Sequence, residues 1–529
     1  MLFRSRDRVT PLTGRFADRA HPPRIVRGRP RFDHDVIVVG AGFGGLGAAL
    51  TLAERGARVC VLEALTYPGG CASTFQRHGW RFEAGATLFS GFGEGHLMRR
   101  WIDGHGLDVH VEMLDPSIVF RAPGFELPVP PDRDVLVARL CALPGAPEAG
   151  IRAFFDEQRR VADALWALFA DPSLLPPFSA DALLRHAGRL GQYLPLVRTV
   201  GRPLIDVLRR HGVDGFLPLR TYLDALCQIT VQTGVAEAEA PFALAATDYC
   251  FRGTGHVRGG IGVLARALCG AIERLGGEVH FASRAARIEP WEDGFRVFAR
   301  GRELTAAHVV ANLLPHGVRA LVERTSLRLD TLAAEVEGGW GAVMLYLGLR
   351  PDPEIRPAPH HVEIVQDPAL PFVEGNHLFC SVSGADEAGR GPAALTGNPR
   401  TVTVSTHVSI AKLRVMTPEA QSTFVADIQA HMRAGIRTFA PELDRAVVHA
   451  MTASPRTWQR FTRRTHGLVG GVPRRAGLQH YTSLVPPPPV PDLPGLWMVG
   501  DSVFPGQSTL AVAIGGVKVA SRIAEAEGW

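Results

Sequence analysis

The run Asp35-Val36-Ile37-Val38-Val39-Gly40 is apolar and β-branched, the pattern of a parallel strand covered on both faces. Small residues follow in Ala41-Gly42-Phe43-Gly44-Gly45-Leu46-Gly47, and Ala48 to Arg55 carries helix formers as far as Gly56. A second apolar run, Arg58-Val59-Cys60-Val61-Leu62, ends at Glu63. Strand, glycine turn, helix and strand in that order predict a βαβ unit. Residues 112 to 135 are rich in Pro, Val and Phe and predict short strands leaving this unit. From Ile151 to Gly234 the period becomes helical, broken at Pro172, Pro176-Pro177, Pro195 and Pro203. Within it, Leu183 to Arg210 interleaves Leu, Ile and Val with Arg185, Arg189, Arg198, Arg202, Arg209 and Arg210. That pattern fits either an ordinary domain surface or a face turned to a membrane.

The first unit resumes at His256-Val257-Arg258-Gly259-Gly260-Ile261-Gly262. A helix over Val263 to Leu275 leads through Gly276-Gly277 to a strand, Glu278 to Phe281. Arg284 to Ile288, Phe295 to Phe298 and Ala307 to Asn312 predict further strands. Strands over Ala342 to Leu349 and Thr401 to His407, and a helix from Pro418 to Ala440, belong to another body. The strand Leu496-Trp497-Met498-Val499, then Gly500-Asp501 and a helix from about Leu510, repeats the logic of the opening motif. One domain is therefore split over 35–111, 250–315 and 471–529, and a second is interleaved with it over 112–249 and 316–470. Residues 1–34, with nine arginines and three aspartates, read as a disordered Arg-rich extension, with an organellar transit peptide as the alternative.

At 529 residues the chain exceeds one core. Its two lysines, Lys412 and Lys518, leave a net charge of +5 carried almost wholly by arginine. No basic stripe interleaved with aromatics points to nucleic acid. Seven cysteines with no Cys-x-x-Cys speak against a disulfide framework and against zinc, so no metal is expected, and a reducing compartment is. No apolar run reaches the roughly eighteen residues of a spanning helix, and residues 1–34 lack the apolar core of a secretory signal.

The glycines carry the chemistry. In Gly40-Ala41-Gly42-Phe43-Gly44-Gly45, Gly40 permits the tight turn, Gly42 lets backbone approach a pyrophosphate, and Gly45 lets the helix close on the strand. The helix N-terminus offers N–H groups to phosphate, and Glu63 is placed to accept hydrogen bonds from an adenosine ribose. Gly69 and Gly70 let another stretch of backbone approach the diphosphate or the far end of a longer cofactor. Asp501, after Gly500, can accept from a cofactor hydroxyl, and the N-terminus of the helix starting near Thr509 and Leu510 can stabilise negative charge on a bound group. The plain alternative for Gly500-Asp501 is a helix N-cap. Asp248, Arg252, His256 and His377 are polar groups that could approach such a site, each weighted toward a structural role. His360-His361 has no companion ligands and reads as a loop. No His-Glu-x-x-His occurs, and Gly500-Asp501-Ser502 lacks the last glycine of a nucleophile elbow.

The arrangement Glu63-x5-Gly69-Gly70 resembles the fingerprint of FAD-binding amine oxidases and carotenoid desaturases. Pro68 to Phe75, and Ser454-Pro455-Arg456-Thr457 with Gly467 to Gly471, resemble the carotenoid 3,4-desaturases; Gly500 to Gln507 is more similar to the carotenoid cis-trans isomerases. The resemblance covers nearly everything from 33 to 529. It implies an α/β fold: a split Rossmann-like FAD-binding domain with a second, α+β substrate domain, as in amine oxidases. It places Ala285 where relatives hold a valine against the adenine. It implies FAD, a lipophilic carotenoid-like polyene substrate in an apolar tunnel, and a cytoplasmic protein peripheral on the membrane, with 183–210 as the contact; homo-oligomerisation stays open. The implied reaction is desaturation by hydride transfer to flavin, with cis-trans isomerisation on reduced flavin as the alternative. A retinol saturase-like reductase, an amine oxidase and a lipid carrier of the Rab GDP dissociation inhibitor type are further alternatives. No catalytic residue is assigned.

Overall fold

The computed structural model describes residues 31–85, 87–176, 178–323, 326–478, 481, 490 and 493–529. Most of the expected extension lies outside the described residues, but its last four residues are ordered. Arg31 pairs with Glu292 and Asp293, and Asp33 accepts a hydrogen bond from Thr305. The boundary drawn at 34 therefore falls inside structure.

Two sheets organise the molecule. In the first, β1 (His34–Val39) lies between β2 (Val59–Leu62) and β12 (Arg302–Ala311), and β2 pairs onward with β9 (Glu278–His280). Along its other edge β12 pairs first with β11 (Gly294–Ala299), which continues to β10 (Ala285–Trp291), and then with β19 (Leu496–Met498). β9, β2, β1, β12 and β19 are parallel, so their carboxyl ends share one edge. β1 and β2 are buried at every position, as their unbroken apolar runs require.

One face of this sheet carries the helix Phe43–Glu54, apolar on all sides and buried from Phe43 to Ala53. The last helix, Thr509–Glu527, crosses it at backbone contact. A Cβ on Gly516 would lie 2.1 Å from the Gly44 carbonyl oxygen, and one on Gly47 would lie 2.7 Å from that of Ala513. The other face is covered by Val318, Val322, Leu329 and Leu332 of the helices Pro315–Val322 and Leu327–Glu337. The sequence division at 315 gives these helices to the second body; their apolar faces pack on the first.

The second sheet runs β17 (Val447–Ala453), β13 (Trp340–Leu349), β16 (Arg400–Ser409), β15 (His377–Val382), β14 (His360–Val365), β6 (Ile118–Ala122), β7 (Phe125–Val129), with β18 (Leu468–Val469) also on β13. The helix Pro418–Phe439 packs on it through Ile428, Met432 and Ile436. His360-His361 is thus no loop but a buried part of β14. Gly79 turns a hairpin between β3 (Thr74–Arg77) and β4 (Trp80–Glu83). A two-stranded ribbon, β5 (Val111–Met113) with β8 (Gly255–Val257), marks where the chain leaves and re-enters the first body.

The segment 183–210 divides. Leu204, Ile205, Val207 and Leu208 are core residues, whereas Leu184, Leu190, Leu194 and Val197, on the helices Ala180–Ala187 and Leu190–Val197, are 66–75 % exposed. Among the described residues no helix is long and apolar enough to cross a membrane.

Candidate functional site

Ligands of open parallel sheets sit beyond the carboxyl ends of the strands. Here β1, β2, β12 and β19 end there and hand over to Gly40, Glu63, Asn312 and, one residue later, Gly500. A cavity of about 800 Å³ opens at this edge and continues along the helical layer to the inner face of the second sheet. Of the residues singled out in sequence, Gly40, Gly42, Phe43, Gly44, Glu63, Gly69, Gly70, Ala285, Gly500, Asp501, Thr509 and Leu510 line it. Ala41 and Gly45 lie beneath: the Ala41 N–H donates to Glu63 Oε2 at 2.8 Å, and a Cβ on Gly45 would stand 2.1 Å from the Gly40 carbonyl oxygen.

Glu63 also accepts from Leu65 N at 2.8 Å. Burial pushes its carboxyl up against these amide bonds, which favour the charged form. Each oxygen keeps a second lone pair for a ligand hydroxyl. Gly69 is drawn to the glycine turn by its N–H, which donates to the Ala41 carbonyl at 2.8 Å.

Asn312 organises the turn and was absent from the sequence assignment. Its Nδ2 donates to the Gly40 carbonyl at 3.3 Å, and its amide stands 2.7 Å from where a Gly42 Cβ would be, 2.9 Å from that of Gly44 and 3.1 Å from that of Gly500. Gly42 is therefore required first by Asn312. The available signal is positional: a polar residue ending an apolar strand, as at Glu63.

Asp501 does not cap the last helix; Ser508 does, its hydroxyl accepting from Ala511 N at 3.0 Å. Asp501 Oδ2 instead accepts from Arg464 at 2.7 Å. Burial works against the Arg464 charge, but Asp501 outweighs it. The first turn of the helix Phe43–Glu54 has neither a side-chain cap nor an acidic residue, so its N–H groups are open to an anion. Two helix N-termini thus converge on one end of the cavity.

Of the four polar candidates, only His377 lines the cavity. Asp248, fully buried, pairs with Arg133 and Arg252, and His256 Nε2 lies 2.6 Å from Glu387, so these hold the fold. Elsewhere His34, Cys60 and Glu278 bring ligand atoms within 4.8 Å of one another near the amino ends of the strands. Burial pushes the Cys60 thiol up to about 12, and Glu278 is engaged by His280 at 2.8 Å, which disfavours a metal there.

Residues 38–104 match the model of the NAD(P)-binding Rossmann-like domain. Prolycopene isomerase 1 of an Oncidium hybrid cultivar is 27% identical over 93% of this chain and 84% of its own. Hydroxyneurosporene desaturase of Cereibacter sphaeroides is 29% identical over 52% of this chain and 55% of its own. The solved structure of cyclohexylamine oxidase from Brevibacterium oxydans superimposes with a TM-score of 0.56 at 16% identity, over 94% of this chain and all of that one, and shares its fold.

Proposed function

We propose that this chain is an FAD-dependent oxidoreductase of the carotenoid desaturase and isomerase family that desaturates a long apolar polyene. The observation that carries this reading is the single continuous cavity. One end is lined by glycine backbone and two helix N-termini, the other by Leu165, Phe169, Ile229, Phe242 and Phe379. The fit to FAD rests on that cradle, where side chains at Gly42 or Gly44 would collide with Asn312. Gly40, Gly42, Phe43, Gly44, Gly69 and Gly70 would hold the diphosphate, Glu63 and Ala285 the adenosine side, and Gly500, Asp501, Thr509 and Leu510 the flavin side. A bound flavin supplies a two-electron acceptor. The chain itself contributes positioning and exclusion of water along an apolar wall. The helices Ala180–Ala187 and Leu190–Val197, which expose Leu184, Leu190, Leu194 and Val197, also contribute His186 and Leu196 to the cavity wall, which supports a peripheral membrane contact delivering the substrate.

Cis-trans isomerisation is the second reading, favoured by the near full-length alignment with the prolycopene isomerase. Electron accounting separates the two. Oxidised holoenzyme mixed anaerobically with polyene should bleach its flavin band as one double bond forms per flavin. If oxidised enzyme does nothing while pre-reduced enzyme converts cis to trans polyene at constant mass, desaturation is wrong.

A further inference from the structure

Residues 474–476 run alongside 231–239. The Arg474 N–H donates to the Val231 carbonyl and the Arg474 carbonyl accepts from Glu239 N, each at 3.0 Å, while Arg475 bridges to Ala238. Extended backbone sends successive side chains to opposite sides. Arg475 is exposed and pairs with Glu237 at 3.0 Å, whereas Arg474 lines the cavity. Its guanidinium lies over the Phe242 ring, 5.4 Å from the centre, and Nη2 is 2.8 Å from where a Gly506 Cβ would stand.

Among the described residues four arginines line the cavity. Arg284 and Arg463 are exposed to solvent, and Arg464 is paired with Asp501. Arg474 is partly buried, and no described residue accepts a hydrogen bond from its guanidinium. Glu239 attracts it through space, yet the Glu239 oxygens accept from Tyr481, Gly201 and Phe242 instead. Burial lowers Arg474 to about 10, against the pull of Glu335 and Glu239, so it stays charged at neutral pH.

A guanidinium carries five N–H donors in a planar fork. A hydrocarbon chain that displaced water from this wall would leave those donors without acceptors, which is costly for a charged group. The contact with Phe242 offsets only part of that cost. An ester or ketone oxygen would meet a donor but bring no charge. A carboxylate meets two donors side by side and cancels the charge. A phosphate would bring a second negative charge toward Glu239 and Glu335, which disfavours it.

We propose that Arg474 is a carboxylate-recognition site in the cavity wall, so that the preferred substrate is a polyene with an ionised carboxyl group at one end. This rests on the polyene reading above. Arg474 seats and orients the chain and takes no part in electron transfer.

The test titrates flavin-loaded protein with three polyenes of equal length, a terminal carboxylic acid, its methyl ester and the hydrocarbon, read by the change in the polyene's visible absorbance. Wild type should bind the acid at least tenfold more tightly than the ester. Arg474→Met removes the charge and keeps an unbranched side chain. It should bring acid and ester within about twofold of each other, with ester affinity and the flavin midpoint potential as in wild type. Arg474→Lys, with charge but no fork, should keep part of the preference. Equal wild-type affinities for acid and ester would overturn the carboxylate site, whether or not a variant folds, and leave the polyene reading standing. So would a preference that survives in Arg474→Met. An Arg474→Met protein that shifts the flavin potential and weakens acid and ester alike would overturn the site by assigning the cation to the cofactor. Binding of none of the three polyenes would overturn both readings.

Discussion

Asn312 decides what a side chain at Gly42 can do. A Cβ there would lie 2.7 Å from Asn312 Nδ2, closer than unbonded atoms approach. Gly42→Ala should therefore weaken flavin retention about tenfold or more, read as the flavin-to-protein ratio after dialysis. Gly42→Ala/Asn312→Ala should recover most of it, beyond the retention of Asn312→Ala alone. If the double variant is as poor as Gly42→Ala, the glycine answers to the pyrophosphate itself. The glycine turn is legible in sequence because its logic is local: strand, turn and helix occupy neighbouring residues. Asn312 is not, because it reaches Gly40 from 272 residues away and only the pairing of β1 with β12 brings them together. Asp501 is legible only in part. A cap and a pocket acid look alike in sequence, and only Arg464 and Ser508 tell them apart.

Among the elements, β14 and β16 carry a pH dependence of their own. Burial lowers His360 to about 3 and His361 to about 4, although His361 also faces the Ser117 and Thr87 carbonyls at 3.1 Å, which favour its charged form. His407 joins them at about 4. The unfolded chain protonates these rings near pH 6.5, whereas the folded chain does not until near pH 4, so the unfolded state binds more protons between those values. Stability should rise with pH across that window, by at most about 1.4 kcal/mol per pH unit for each ring. Thermal unfolding of wild type at pH 5 and pH 7, against His360→Gln/His361→Gln, checks it: the double variant should show the shallower slope. Two adjacent histidines look like a loop because they break strand alternation. Both are buried here because strand pairing puts β14 between β6 and β15, with backbone carbonyls to meet the rings.

At the scale of the molecule, the helices Ala180–Ala187 and Leu190–Val197 expose Leu184, Leu190 and Leu194, and the proposed membrane contact is tested there. Leu184→Ser/Leu190→Ser/Leu194→Ser should move the protein from floated liposomes to the soluble fraction without changing its melting temperature by more than a degree or two, since these side chains bury little. Co-flotation of wild type and variant would remove the contact from this surface. The sequence cannot divide 183–210, because Leu and Arg alternate alike in both halves. Leu204 to Leu208 are taken into the core only by packing with distant residues such as Phe154, Leu219 and Leu244. The two-body architecture is far more legible, since each re-entry into the first sheet is marked by an apolar strand and glycines.

The first sheet draws its strands from three stretches of chain, and the last of them is made last. β1, β2, β9 and β12 are complete once Ala311 is translated, yet β19 and the helix that covers Phe43–Glu54 come after residue 495. At ~5–20 residues per second, the ribosome needs roughly 10–40 s more to deliver them. Throughout that interval the glycine-rich face of the helix Phe43–Glu54 lies bare, and the cleft lacks the wall formed by Gly500, Asp501 and Thr509. The cleft can therefore close only after residues 496–527 have been made, and until then the nascent chain presents an apolar helix face.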